Sequence, residues 1–426
     1  MKIFLFATCV CFINLPFLTH AQVTWPPELI ITPEKTSFEK TSTYSDVMTF
    51  LDHLKSRSKN IHLISMGESP EGKEIPVAVL SSPAVRSAEE AKASGKNVVY
   101  VQGNIHGGEV EGKEAVMMLM REILLGDKQR LLENQIIMFA PIYNTDGNDK
   151  MASGTRPSQE DSPPKAGIRQ NSRGLDLNRD GTKMEAPETE GLFSNIISKW
   201  DPQVFVDLHT TNGTWHAYSL TWAPSYHTAG EPGPYEFTQQ MLKDITKTVE
   251  EKYGLFFGPY GEYHLEEGWP LKNFYTYNHH PRYLVNQFGL RNRMAILSEA
   301  FSHERFYQRI HSTYHFTLEI LAYTNEHAQE IRDINKRAEN ISIQNIVERA
   351  GKTKKGVRFK MMSGDTLDDF KTYDYISTEG DTSKFIRTGK IVLYDDVAYH
   401  AKFQATVEST MPRGYAIPAE FSNIVE

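Results

Sequence analysis

Hydrophobic positions along this chain switch repeatedly between a period near 3.6 and a period of two or less. In residues 44–58, Val47, Phe50, Leu51 and Leu54 recur on one face and predict a helix. Two strand-like runs at 61–66 and 74–81, joined by the turn SPEGK, predict a hairpin. Val98, Val99 and Val101 then read as a buried strand, and Val116, Leu119, Met120 and Ile123 as a helix to about residue 125. An apolar run at 135–143 ends in NTDGND. A helix carrying Leu192, Ile196 and Ile197 leads into VFVDLHTT, and 294–297 reads as the last core strand, with Glu299 just past its end. Helical spacing returns at 304–323 and 326–349. From Gly351 onward, alternation such as that of residues 402–407 predicts a small β domain. The whole is an α/β pattern, and polar residues follow the strands at His106, Asn144, His209 and Glu299. Loops at the carboxyl edge of an open α/β sheet carry ligands and chemistry while the strands hold them in place.

The stretch GNIHGGEVEGKEA, residues 103–115, sits at such an edge. His106 and Glu109 are three apart in a glycine-rich turn, and His209 ends another apolar strand. Two histidines and one glutamate suffice for a catalytic zinc, which keeps a fourth position for water. A lone His-x-x-Glu is common on solvated turns, so the weight rests on both histidines ending apolar strands and on glycines that let the backbone fold closely. His279 and His280 lack that context and read as structural.

Residues 150–187 are polar and without periodicity, which in a compact domain marks a functional or disordered loop. They contain IRQNSRGLDLNRD, with Arg169, Arg173, Asp176, Asn178 and Arg179 close together. Arginines in a loop are ordinarily a solvated face; beside a metal site their planar fork matches a carboxylate, and Asn178 adds a donor. Glu299 reads either as a rim charge or as the base for a hydrolytic water.

Composition narrows the setting. With 426 residues, one large domain and a smaller one are expected. A net charge of -8 gives no sign of nucleic-acid binding. The opening MKIFLFATCVCFINLPFLTHAQ has the form of a cleavable export signal ending near Ala21, and both cysteines, Cys9 and Cys11, fall inside it. The mature chain is therefore expected to be exported (periplasmic or extracellular), free of cysteine chemistry and without a membrane span.

HGGE, GLDLNRD, DLHTT and ILSEAF, in this order and spacing, resemble the zinc carboxypeptidases related to pancreatic carboxypeptidase A, in a divergent secreted branch of bacterial type. The resemblance covers about 44–323. It implies a mixed, mostly parallel sheet flanked by helices and one zinc ion held by His106, Glu109 and His209. It implies Glu299 as the catalytic glutamate and Arg169 as the arginine that polarises the scissile carbonyl. Asn178 and Arg179 match the pair that grips the substrate's terminal carboxylate, and Asp176 matches the carboxylate that orients the first zinc histidine. The family's mobile tyrosine falls on Tyr277, with Tyr275 and Tyr283 as alternatives. The sequence departs from the family's usual TFEL or TIEL before the catalytic glutamate.

The expected organisation is a signal at 1–21, a catalytic domain at 22–325, a helical connector at 326–350 and a β domain at 351–426, left open to being incomplete by the end at FSNIVE. The expected activity is hydrolysis of the C-terminal peptide bond by a zinc-bound water with Glu299 as base. Two rivals remain: a zinc amidase or cell-wall peptide hydrolase on the same site, and a non-catalytic binding module. In the hydrolytic readings the partner is a peptide or cell-wall peptide with a free carboxylate. Side-chain preference is expected to draw on residues 281–287, where Arg282 is either a selector of acidic residues or a paired surface group.

Overall fold

The computed structural model describes residues 24–160, 163–226, 229–349, 351–378 and 381–424, so the export segment expected at 1–21 lies outside the described residues. Among the described residues, nine strands precede the C-terminal region: β1 (Ile61–Glu68), β2 (Glu74–Leu80), β3 (Asn97–Gly103), β4 (Gln135–Ala140), β5 (Val204–Thr210), β6 (Leu220–Pro224), β7 (Phe257–Pro259), β8 (Asn273–Tyr275) and β9 (Met294–Ala300). Eight of them form one sheet in the order β1-β2-β4-β3-β5-β9-β6-β7. Its centre, β4-β3-β5-β9, is parallel, while the β1–β2, β2–β4 and β6–β9 pairs are antiparallel.

Central strands covered on both faces must be apolar on both. In β3, Val99 and Val101 join a core layer with Val206 of β5, while Val98 and Tyr100 face the opposite layer with Phe205. The first layer is closed by the helices Tyr44–Arg57, Glu111–Leu125, Pro232–Tyr253 and Phe306–Glu326, which contribute Leu51, Leu119, Ile245 and Ile310. The second is closed by Leu192–Ile197 and by the short helix Leu284–Leu290. There Phe205 stacks between Tyr100 and Phe288, at centroid distances of 5.8 and 4.2 Å. Truncating a phenylalanine buried this way costs about 3–5 kcal/mol.

The hairpin, the strands and the two late helices lie where the hydrophobic pattern puts them. Helix Pro232–Tyr253 does not show in that pattern. Its buried Met241, Leu242, Ile245 and Val249 keep helical spacing, but polar residues surround them and prolines stand at its start, where the first turn needs no amide hydrogen. A second difference concerns Glu299. Strand β9 runs on to Ala300, so Glu299 lies inside the strand, paired with β5 on one side and β6 on the other.

Six further strands follow: β10 (Lys354–Met362), β11 (Asp365–Leu367), β12 (Phe370–Thr378), β13 (Asp381–Tyr394), β14 (Val397–His400) and β15 (Lys402–Thr410). β10 pairs with β15 and β12 with β13. β14, however, pairs in parallel with β8, aligning Ala398 with Asn273 and His400 with Tyr275. The hydroxyls of Tyr226 and Tyr399 lie 2.9 Å apart, and Phe370 is buried against Tyr218 and Phe274. The late strands thus share a core with the segment that leads to Tyr277. Among the described residues, no helix is long and apolar enough to cross a membrane.

Candidate metal and catalytic centre

The turn after β3 is held by Asn104, which adopts a positive φ of 63°. Its amide nitrogen lies 3.3, 3.1 and 3.1 Å from the carbonyl oxygens of His106, Gly107 and Glu109. The two glycines of HGGE answer a close approach: a Cβ on Gly107 would lie 2.3 Å from Gly147 C, and one on Gly108 2.6 Å from Gly167 O. The loop carrying the arginines is thereby pressed against the turn. Asn144 pins it further, its Nδ2 donating to Ile105 O and Arg169 O, both at 3.2 Å.

His106, Glu109 and His209 converge, with one ligand atom from each lying within 4.8 Å of the others. Each imidazole presents Nδ1 to the Glu109 carboxylate, His106 at 2.9 Å from Oε1 and His209 at 2.9 Å from Oε2. The opposite nitrogens face carboxylates: His106 Nε2 lies 3.1 Å from Asp176 Oδ1, and His209 Nε2 2.9 Å from Asp207 Oδ2. An imidazole that donates from Nε2 to a carboxylate leaves the Nδ1 lone pair for a metal. Two nitrogens and a carboxylate, each oriented from behind, fit a divalent zinc ion.

Asp207 is absent from the sequence reading, although its spacing gives it away. It stands two residues before His209 on a strand, hence on the same face. Arg156 was missed for a different reason: nothing in its surroundings in the polar loop distinguishes it. Its side chain passes where a Cβ of Gly108 would lie, 2.7 Å from its Cγ, and its Nη2 reaches Glu109 Oε1 at 2.8 Å.

The electrostatics follow from burial and these neighbours. Burial alone would raise the Glu109 carboxyl, yet His106 and Arg156 hold it well below the usual carboxylate range. Burial would lower His209, but the adjacent Asp207 pushes it well above the ordinary imidazole value. Asp176 is likewise held far down, against its burial, by His106, Arg169 and Arg179. Glu299 differs. Burial pushes its carboxyl up to about 8, with Glu109 adding to the rise and His209 opposing it.

Glu299, Arg169, Asn178, Arg179, Tyr277 and Tyr283 line one cleft of about 470 Å³ with the three convergent residues. Arg169 donates from Nε to Asp176 Oδ2 at 2.9 Å and keeps a third of its side chain exposed. Asn178 accepts from Leu284 N at 3.1 Å, fixing the start of the helix Leu284–Leu290 beside the site. The Arg179 guanidinium lies 4.5 Å from the centre of the Tyr283 ring. Tyr277 stands in the cleft wall with its hydroxyl turned away, donating to Pro224 O and Asn286 Oδ1, both at 3.1 Å. Tyr275 bonds Glu267 at the surface, and Arg173 does not line the cleft. Arg282 donates to the Tyr283 hydroxyl at 3.2 Å.

This fold and site define a metallopeptidase architecture, and the chain belongs to the zinc carboxypeptidase family, which it matches across residues 47–420. It is 27% identical over 144 residues to carboxypeptidase 2 of Trichophyton rubrum, a match covering 33% of this chain and 23% of that protein. It is 32% identical over 132 residues to carboxypeptidase D of Rattus norvegicus, covering 28% of this chain and 10% of that one. The chain thus spans about a quarter or less of the length of these curated relatives. In fold it is similar to a metallo-carboxypeptidase from Burkholderia cenocepacia, with a TM-score of 0.50 at 14% identity over 68% of this chain and 70% of the other.

Proposed function

We propose that this protein is an exported zinc hydrolase that removes single residues from the carboxyl end of peptides. The observation that carries the proposal is the convergence of His106, Glu109 and His209 within one cleft, with Glu299 as the strand neighbour of His209. Zinc held by those three side chains would supply Lewis acidity toward a water and the scissile carbonyl.

The chain's own groups divide the remaining work. Glu299, buried and averse to charge, takes a proton from the attacking water and passes it to the departing amine; a raised pKa suits a group that must both accept and return a proton near neutral pH. Arg169, anchored by Asp176 through Nε, brings Nη1 to 3.7 Å from Glu109 Oε1, so its guanidinium stands at the centre to meet negative charge as it develops on the carbonyl oxygen. Arg179 and Asn178 grip the terminal carboxylate, so only a free chain end is accepted. Tyr283, whose ring lies under Arg179, is better placed than Tyr277 to close over that carboxylate. Residues 1–21 supply the export signal.

Cleavage of matched peptides with free and amidated carboxyl ends, read by mass spectrometry, tests this reading. Single-residue loss from free ends only, with Arg179→Ala abolishing the preference, supports it. Equal cleavage of both forms would refute carboxylate recognition. Activity confined to wall peptides with D-residues would move the substrate while keeping the centre.

A further inference from the structure

At the other end of the central strands, where β3, β5 and β9 begin, lies a second cavity of about 760 Å³ that shares no residue with the catalytic cleft. That volume is in the range of small-molecule sites, roughly 300–1,000 Å³. Its charge is one-sided, in a protein whose net charge is negative. The acids in its wall, Asp201 and Glu339, are both engaged by Arg293, with Asp201 Oδ1 at 2.6 Å from Nη2. Lys96 is also committed, donating to Ser82 O and Leu132 O at 2.6 Å each. Around them Lys92, Arg291 and Lys336 have no ion-pair partner among the described residues. Lys199 reaches only the Asn195 carboxamide, with Glu89 as its acidic neighbour, and Arg332 bonds the carboxamides of Gln329 and Asn97.

The cavity also contains a polar atom with nothing to bond. Asn335 is 4% exposed; its Nδ2 donates to Gln203 O at 3.2 Å, while its Oδ1 is buried without a hydrogen-bond partner. A buried orphan acceptor costs free energy that a ligand donor would recover. Sulfate has no such donor and inorganic phosphate offers only its acidic P–OH, whereas a sugar ring presents several hydroxyls. Trp200, buried to 8% exposure, adds apolar surface to the wall.

We infer that this cavity binds a saccharide esterified with phosphate or sulfate, the ester groups meeting Arg291, Lys336 and Lys199 and a hydroxyl meeting Asn335. Occupancy tethers the protein or senses the ligand away from the catalytic edge, and the inference does not rest on the peptidase reading.

Calorimetric titration of the full chain with glucose 6-phosphate, glucose, inorganic phosphate and a sulfated heparin oligosaccharide tests it. One of the esterified saccharides is expected to bind at least about tenfold more tightly than both glucose and phosphate, and more weakly as salt rises. The arm that binds separates a free sugar ester from a polymer. Arg291→Glu combined with Lys336→Glu, both exposed positions, should weaken that binding about tenfold or more while peptide cleavage stays at the wild-type rate. Asn335→Leu should erase the margin over phosphate. Binding unaltered in the double variant, no binding of either ester by the wild type, or phosphate binding as tightly as the esters would each overturn the inference.

Discussion

His209 and Glu299 are direct partners across β5 and β9, so the sheet's register itself sets a proposed metal ligand beside the proposed base. Neither residue depends on a loop for its place. A one-residue slip of β9 would turn Glu299 to the other face. The pair is therefore as rigid as the core beneath it, and Glu299→Gln changes chemistry without changing shape. Peptide hydrolysis by this variant should fall by about 10²–10⁴-fold, with zinc content by atomic absorption unchanged. Wild-type kcat in a zinc-loaded variant would remove Glu299 from the reaction.

Asp207 Oδ2 lies 2.9 Å behind His209 Nε2, on the side where Asp176 hydrogen-bonds His106. Asp207→Asn should weaken zinc retention about 10–100-fold, measured by competition with a chelator, while KM at saturating zinc stays near wild type. Unchanged affinity would reduce Asp207 to a packing group.

Arg156 holds the Glu109 carboxyl low, so Arg156→Ala lets that pKa rise toward its ordinary value. Protons then compete with the metal at higher pH. The pH at which half the zinc is lost should move upward in the variant, and the two proteins should converge at alkaline pH, where Glu109 is ionised in both. A midpoint that stays in place or moves downward would contradict the role.

The two cleft tyrosines should part company. Removing the Tyr277 hydroxyl takes away the donor shared by Pro224 O and Asn286 Oδ1, the latter still accepting from Tyr226 N at 2.8 Å, so Tyr277→Phe should lower thermal stability by about 1–3 kcal/mol with little change in KM. Tyr283→Phe, which removes a hydroxyl that among the described residues only Arg282 hydrogen-bonds, should leave stability near wild type and raise KM for free-ended peptides. The reverse pattern would return the substrate role to Tyr277.

What the sequence made readable was whatever rests on period and on motif. Strands β3, β4, β5 and β9 are apolar on both faces, so their existence stands out, whereas the carboxyl end of β9, which takes in Glu299, does not. The spacing from HGGE to ILSEAF carried the family. The amphipathic stripe of Pro232–Tyr253 was lost among Lys, Thr and Glu residues, and Arg156 was lost because its importance comes from a gap left by Gly108, which no local pattern records. The glycines of HGGE were legible as a requirement but for a different reason: they admit the neighbouring loop, where the sequence suggested a fold around an ion. The direction of the Tyr277 hydroxyl depends on Pro224 and Asn286, fixed only by tertiary packing.

The pairing of β14 with β8 bears on how the protein is made. The three proposed metal ligands are all synthesised by residue 209, and Glu299 on β9 follows before β14. The strand that leads into Tyr277 waits for a neighbour, β14, that is made only after Glu299, with Thr276 N then donating to His400 O at 3.2 Å. Long-range pairing of this kind forms late because the intervening loop must close first. The nascent protein can therefore bring its proposed metal ligands together while one wall of the cleft is still unsupported, and completion of that wall is timed by β14.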